Sequence, residues 1–167
     1  MTKFPAAVRL LFCLLLMTLP GRGAERVVHV FVALCDNASQ RIQPVPAKIG
    51  NGDDPANNLY WGCDDGVRTV FSRSKAWKRV SAADPDGDGP ILERLVFYNA
   101  AANAWLVADG YRGKEIKRCL TDYLSAMAGN LKVDAAAGSR TVAAGGAADL
   151  VAYAGHDGLM EFTLETP

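Results

Sequence analysis

The chain has 167 residues, of which half are hydrophobic, and it carries 18 acidic and 18 basic side chains. This balance excludes the strongly basic surface that binding to nucleic acid or to an anionic membrane requires. The length suits one domain. A peptide or protein ligand is the kind of partner that the composition leaves open.

The first 23 residues have the composition of a secretory signal peptide. Lys3 and Arg9 supply basic charge, residues 10–19 are apolar, and Gly21 and Gly23 are small residues before a cleavage point. The apolar stretch is shorter than the roughly 20 residues of a permanent membrane helix, the alternative interpretation. We therefore predict a single, mildly acidic domain of residues 24–167 that is periplasmic or secreted and meets the membrane only during export.

Apolar runs and helical spacing predict alternating strands and helices. The predicted strands are residues 27–35, 91–98, 104–108 and 148–154, and the predicted helices are residues 59–73 and 114–127. Residues 36–58 form a long polar loop, the basic residues around Trp77 form a solvated surface, and residues 135–146 form a small-residue linker. This alternation predicts an α/β fold with a mainly parallel sheet and flanking helices.

His156 is the candidate catalytic residue. It stands between Gly155 and the pair Asp157-Gly158, directly after the last predicted strand. Glycine permits a sharp turn there, and the ends of strands in open α/β sheets are where ligands bind. Imidazole is also suited to proton transfer near neutral pH. The sequence shows no partner for this histidine.

Cys35, Cys63 and Cys119 follow the predicted signal peptide. Burial as small apolar residues, one disulfide with a leftover thiol, and a catalytic role for Cys35 or Cys63 all stay open. Two carboxylates beside Cys63 oppose thiolate formation there. His29, inside the first strand, is expected to be hydrogen-bonded or edge-exposed. The spacing of histidines and cysteines does not support structural zinc, and the sequence predicts no cofactor.

The segment Asp84, Asp86, Asp88 and Gly89 is similar to the start of a calcium-binding loop. Carboxylates at alternate positions can surround one hard cation. The twelfth position, however, holds Leu95 instead of the bidentate glutamate. The sequence therefore favours an ordinary acidic turn and leaves a calcium site as the alternative.

The order of elements resembles that of the caspase-like, or clan CD, cysteine peptidases. Residues 151–158, Val-Ala-Tyr-Ala-Gly-His-Asp-Gly, are similar to the His-Gly motif that follows a strand in that family, with Asp157 inserted. The resemblance implies that His156 is the catalytic histidine. Residues 31–37, 54–62 and 106–116 also resemble a family of uncharacterised exported bacterial proteins, a likeness that implies no activity.

The nucleophile that the peptidase resemblance implies does not appear in the sequence. A caspase-like enzyme would continue with a helix and a strand that presents a cysteine, whereas this sequence finishes at residues 161–167. We expect a shortened form of a longer caspase-like protein, a marginally stable product, or a chain that cannot use that mechanism. Whether it is an enzyme stays open. The alternative is a non-enzymatic module that binds a peptide or small ligand through residues 43–58 and the turn at Gly155.

Overall fold

The computed structural model describes residues 24–164, so the predicted signal peptide lies outside the described residues. The strands are β1 (Arg26–Ala33), β2 (Lys78–Ala83), β3 (Ile91–Asn99), β4 (Ala104–Tyr111), β5 (Lys132–Ala137), β6 (Arg140–Gly145) and β7 (Leu150–Ala154). The helices are α1 (Val67–Arg73) and α2 (Ile116–Met127), with single 3₁₀ turns at Gly113–Glu115 and Gly158–Met160. Within this part of the chain, every helix is too short or too polar to cross a membrane.

Five strands form one mixed sheet in the order β2-β3-β4-β1-β7, and β5 and β6 form a separate hairpin. β1 lies parallel to both of its neighbours, β4 and β7, whereas β3 is antiparallel to both β2 and β4. The predicted α/β class is confirmed, and the predicted mainly parallel sheet is wrong. The short connection between β3 and β4 explains the difference, because only antiparallel neighbours can be joined without a crossover.

The central strand β1 is apolar on both faces because both faces are covered. On one face Val28, Val30 and Val32 pack in a cluster with Trp61 from the long loop and Phe71 from α1. On the other face Phe31 and Ala33 pack against α2, and the β5–β6 hairpin covers the neighbouring part of the sheet. The core therefore lies on both sides of β1 and positions the carboxyl ends of β1, β4 and β7 side by side.

Two sequence predictions need correction. The helix expected at residues 59–73 begins only at Val67, because Asn58 holds the turns before it by donating to the carbonyl of Cys35 and accepting the N–H of Tyr60. The expected linker is the β5–β6 hairpin, in which Ala135, Ala137 and Ala144 are buried against the sheet. In both cases contacts with residues distant in sequence decide the structure. The expected solvated surface around Trp77 is confirmed, since its lysines and arginine are exposed, and strand β2 runs through it and pairs with β3.

Candidate functional site

The candidate site lies where the parallel strands β4, β1 and β7 end. His156 follows β7 after one residue, and the neighbouring strand β1 ends at Ala33. Gly155 makes this turn possible, because a Cβ there would collide with the hydroxyl of Tyr153 and approach the Cβ of Ala33 to 3.2 Å. The backbone thus presents His156 at the carboxyl edge of the sheet, where open α/β folds bind ligands.

His156 is hydrogen-bonded to Glu161, a partner that the sequence did not reveal. Nε2 of His156 lies 3.1 Å from Oε1 of Glu161, and both side chains are about one-fifth exposed, 23% and 20%. The backbone N–H of Arg41 donates to the other oxygen of Glu161 at 3.3 Å. The hydroxyl of Tyr153 donates to the carbonyl of His156 at 2.8 Å. These contacts fix the imidazole and leave its Nδ1 without a partner among residues 24–164.

The segment that carries Glu161 is a turn of defined structure. Asp157 begins the 3₁₀ turn by accepting the N–H of Leu159 at 3.2 Å. Gly158 is buried, and a Cβ there would meet Phe162 and Ile116. The turn brings Glu161 back toward His156 over five residues, a spacing that matches neither a regular helix nor a strand.

Cys35 shares the carboxyl edge with His156, since it lies two residues beyond β1. Its N–H donates to Oδ1 of Asn58 at 3.0 Å, and its carbonyl accepts from Nδ2 of Asn58 at 2.8 Å. Burial, together with the charge of Asp36, raises the pKa of Cys35 to about 11. It is therefore a thiol near neutral pH, and it makes no hydrogen bond to His156 within the described chain.

The two other candidate cysteines also lack thiolate character. The Sγ of Cys63 donates to the carbonyl of Leu59 at 2.8 Å, and burial raises the pKa of Cys63. Cys119 is buried on α2, and burial raises its pKa well above the ordinary value. Cys35, Cys63 and Cys119 are all free thiols, so no two of them form the disulfide that the sequence left open.

The acidic segment forms a turn in which its own carboxylates accept backbone hydrogen bonds. Asp84 accepts the N–H groups of Asp86 and Gly87, at 3.2 and 2.8 Å, and Asp86 accepts that of Ile91 at 3.2 Å. Arg112, directly after β4, donates to the carbonyls of Gly87 and Gly89 from outside. Between residues 24 and 164 no group of three His, Cys, Asp or Glu side chains is placed to hold a metal ion.

A surface groove of about 390 Å³ lies between the long loop, α1 and the strands β2 and β3. Its lining comes from the long loop, α1, β2 and β3 and consists of Pro55, Ala56, Arg68, Ala82, Ala83, Asp84, Leu92 and Glu93. Glu93 accepts from the indole of the fully buried Trp61 at 2.7 Å and pairs with Arg68 at 3.3 Å. The groove therefore combines small apolar walls with a positioned ion pair, an arrangement that no local sequence pattern predicts.

A third feature is a buried row of charged and polar side chains under the hairpin. Asp109 on β4 is hydrogen-bonded to Arg94 on the adjacent strand β3 and to His29 on the adjacent strand β1. Hydrogen bonding of His29 was one of the two sequence expectations and is confirmed, whereas its exposure at an edge is wrong, because its side chain is fully buried.

Of the residues predicted from sequence, His156 and Cys35 lie at the same edge of the sheet, whereas Cys63 and Cys119 lie in the long loop and on α2. Glu161 could have been noted only as the second acidic residue, after Asp157, on the carboxyl-terminal side of His156. No protein-family model, no curated protein and no solved structure matches this chain.

Proposed function

We propose that this protein contributes the histidine half of a caspase-like hydrolytic site in an exported protein, with His156 as general base. The observation that carries the proposal is the hydrogen bond of His156 to Glu161 at the carboxyl edge of β7. A carboxylate beside an imidazole holds its orientation and stabilises the imidazolium that forms during proton transfer. The strand order supports the same proposal, because β1 lies between β4 and the strand that bears the histidine.

We propose the outer edge of β7 as the position of the nucleophile of this site. No strand among residues 24–164 pairs with this edge. The N–H of Asp149 donates to the carbonyl of Val27 in β1, and N–H directions alternate along a strand. The N–H groups of Leu150, Ala152 and Ala154 therefore point away from β1. A further parallel strand paired with them would end beside His156.

The chemistry then follows from the available nitrogen of His156. Nδ1 takes the proton of a cysteine thiol on the added strand, and the thiolate attacks the carbonyl carbon of a peptide bond. The imidazolium returns the proton to the amine as the C–N bond breaks. Water next adds to the thioester, which releases the carboxylic acid and restores the thiol. Glu161 keeps Nε2 engaged throughout, so it acts as a positioning residue.

Peptide hydrolysis by the protein purified from its natural source tests the proposal. His156→Ala should lower kcat by about 10²- to 10⁴-fold, the usual contribution of a general base. Glu161→Gln should lower it by about 10- to 100-fold, the equivalent of one hydrogen bond to a charged group. Both variants should melt close to the wild-type temperature.

Glu25→Gln is the matched control for the loss of one carboxylate. Glu25 pairs with Arg140 at the amino end of β1, remote from the site, so this variant should keep full activity. Absence of hydrolysis by the wild-type protein, or full activity of His156→Ala, would overturn the proposal.

The groove beside Arg68 favours a second candidate, a non-enzymatic module that binds a peptide or small ligand. The long loop of residues 43–58 contributes Pro55 and Ala56 to it, whereas the turn at Gly155, the other part of this alternative, does not line it. The groove is an open surface depression of about 390 Å³ rather than an enclosed cavity. Peptide binding that survives His156→Ala and disappears in Arg68→Ala would favour this function over hydrolysis.

A further inference from the structure

The buried row of Arg94, Asp109 and His29 connects the sheet to the β5–β6 hairpin. Arg94 holds the carboxylate of Asp109 with two hydrogen bonds, from Nε at 2.6 Å and from Nη2 at 2.7 Å. Nε2 of His29 lies 3.1 Å from the same carboxylate. Nδ1 of His29 accepts the backbone N–H of Gly145, the last residue of β6, at 3.0 Å. The imidazole therefore stands between a carboxylate and an amide of the hairpin.

These contacts define the protonation state of His29. An imidazole nitrogen that accepts an N–H carries no proton, so the proton of the neutral ring is on Nε2 and is donated to Asp109. The row then contains one positive charge on Arg94 and one negative charge on Asp109, which compensate each other. Addition of a proton to Nδ1 would set two donors, Nδ1–H and the Gly145 N–H, against each other.

The hairpin has few other strong attachments to the sheet. Its buried side chains are small, namely Ala135, Ala137, Val142 and Ala144. Near its tip, Arg140 pairs with Glu25 and lies over the ring of Trp105, and the hydroxyl of Ser81 on β2 donates to the carbonyl of Ala136. At its base the hydrogen bond from Gly145 to His29 is fully buried. Loss of that one bond should therefore change how firmly the base of the hairpin is held.

We infer that His29 is a pH-sensitive latch for the β5–β6 hairpin. At neutral pH the unprotonated Nδ1 holds Gly145, and on acidification the imidazolium releases it. Asp109 from β4 supplies the counter-charge that an imidazolium needs in a buried position, whereas Arg94 from β3 opposes it.

The other elements around His29 contribute little charge. Val151 of β7 lies beside it in the register, the ring of Phe31 is 4.1 Å away, and Cys119 and Tyr111 face Asp109 as neutral groups. Asp109 and Arg94 are thus the charged groups that face the imidazole, and its protonation is coupled directly to the hairpin.

Amide hydrogen exchange of the hairpin between pH 8 and pH 5, corrected for intrinsic exchange, tests the latch on the full natural chain. We expect the protection of the Gly145 amide to fall on the order of fivefold to tenfold, the equivalent of one hydrogen bond. Amides of β3 and β4 should keep their protection. Unchanged protection of Gly145 across this range would overturn the inference.

The chain has only two histidines, so two variants identify the group that titrates. The glutamine side chain of His29→Gln can accept the N–H of Gly145 and donate to Asp109, and it does not titrate. The protection of the hairpin amides from exchange should therefore become independent of pH in this variant. His156→Gln should retain the wild-type fall. The reverse pattern would assign the effect to His156 and overturn the latch. If His29→Gln does not fold, ¹⁵N chemical shifts of the His29 imidazole in the wild-type protein provide the test. They must show that Nδ1 gains its proton over the same pH range in which the protection of the Gly145 amide falls.

Discussion

Asp109 is a fully buried carboxylate whose charge is compensated by side chains from the strands on either side. Burial by itself raises the pKa of Asp109, but hydrogen bonds from Arg94 and His29, together with the charge of Arg94, outweigh burial and hold that pKa below its ordinary value. The strand predicted from the sequence ends at residue 108, before Asp109, and this bound is wrong. β4 continues through it to Tyr111, because the compensating partners on β1 and β3 permit a charge inside the sheet.

Asp109→Asn should therefore destabilise the fold strongly. The change leaves the guanidinium of Arg94, only 16% exposed, without its counter-charge. Removal of one partner of a buried ion pair costs about 3–5 kcal/mol in the free energy of unfolding. Urea denaturation at pH 7 measures this loss. The exposed Asp134→Asn is the matched control and should change the free energy by less than about 0.5 kcal/mol.

The difference in the free energy of unfolding between wild type and Asp109→Asn should depend on pH, and the sign of this dependence follows from the lowered pKa of Asp109. A carboxyl group whose pKa is lower in the folded than in the unfolded state stabilises the fold above the unfolded value of about 3.9. That stabilisation disappears as the pH falls through the lower, folded value. The gap between wild type and Asp109→Asn should thus be full at pH 6 and narrow below about pH 4. A gap that widens between about pH 4 and pH 2, where the carboxyl group takes up its proton, would contradict the compensated ion pair.

The long loop between β1 and α1 is ordered by side chains that act as backbone partners. Asn58 is fully buried and bonds to both backbone groups of Cys35, to the carbonyl of Asn51 and to the N–H of Tyr60. Nε2 of Gln40 donates to the carbonyl of Leu34, directly after β1, at 2.7 Å and to that of Gly113, shortly after β4, at 2.9 Å. These amides therefore tie the loop to the segments that follow β1 and β4.

Asn58→Ala should loosen this loop, because it leaves the buried N–H and carbonyl of Cys35 without partners. Unsatisfied buried polar groups cost about 1–3 kcal/mol each, so a loss of roughly 2–4 kcal/mol in the free energy of unfolding is expected. Chemical denaturation measures it. Asn57→Ala removes a neighbouring amide that bonds only to Asp54, and it should cost under about 1 kcal/mol. Equal losses in the two variants would contradict the anchoring role of Asn58.

The same loop illustrates how far element prediction from sequence reached. α2 and the β3–β4 pair were predicted near their observed bounds, because helical spacing and apolar runs are local signals. Helical spacing also puts Leu124 and Met127 on the apolar face of α2, yet these side chains are 37% and 58% exposed. The β5–β6 hairpin was missed because its alanines carry no strong strand preference and become buried only against β1, β3 and β4.

At the level of the whole molecule, the two edges of the main sheet differ in chemistry. The β2 edge carries Lys78 and Arg79 and a break in register next to Arg79, devices that discourage pairing with another strand. The β7 edge, residues 150–154, carries no charge, and its register with β1 is regular. The second edge is therefore the one suited to receive a further strand.

Pairing along β7 predicts slow exchange of the outward-facing amides in the natural protein. The Ala152 N–H should be about as protected as that of Val151, which points into the sheet. Ala152→Pro should abolish pairing with the added strand, because proline has no N–H to donate. The bonds between β7 and β1 should remain, because β1 does not use the Ala152 N–H. The variant should therefore melt near the temperature of the domain without the added strand. Val151→Pro, the control, should destabilise the sheet strongly, because it removes a ladder hydrogen bond to β1. Rapid exchange at Ala152 would exclude an added strand.

Local sequence by itself determined the central strand β1, the β3–β4 pair, helix α2 and the position of His156 directly after β7. Each of these depends on spacing or on an apolar run within a few residues, so neighbours along the chain are sufficient. The tertiary structure alone decided the mixed strand order, the buried row from Arg94 to His29 and the bond between Glu161 and His156. Those features depend on which polar groups burial brings together, and a buried polar group must find its partner wherever the packing places one.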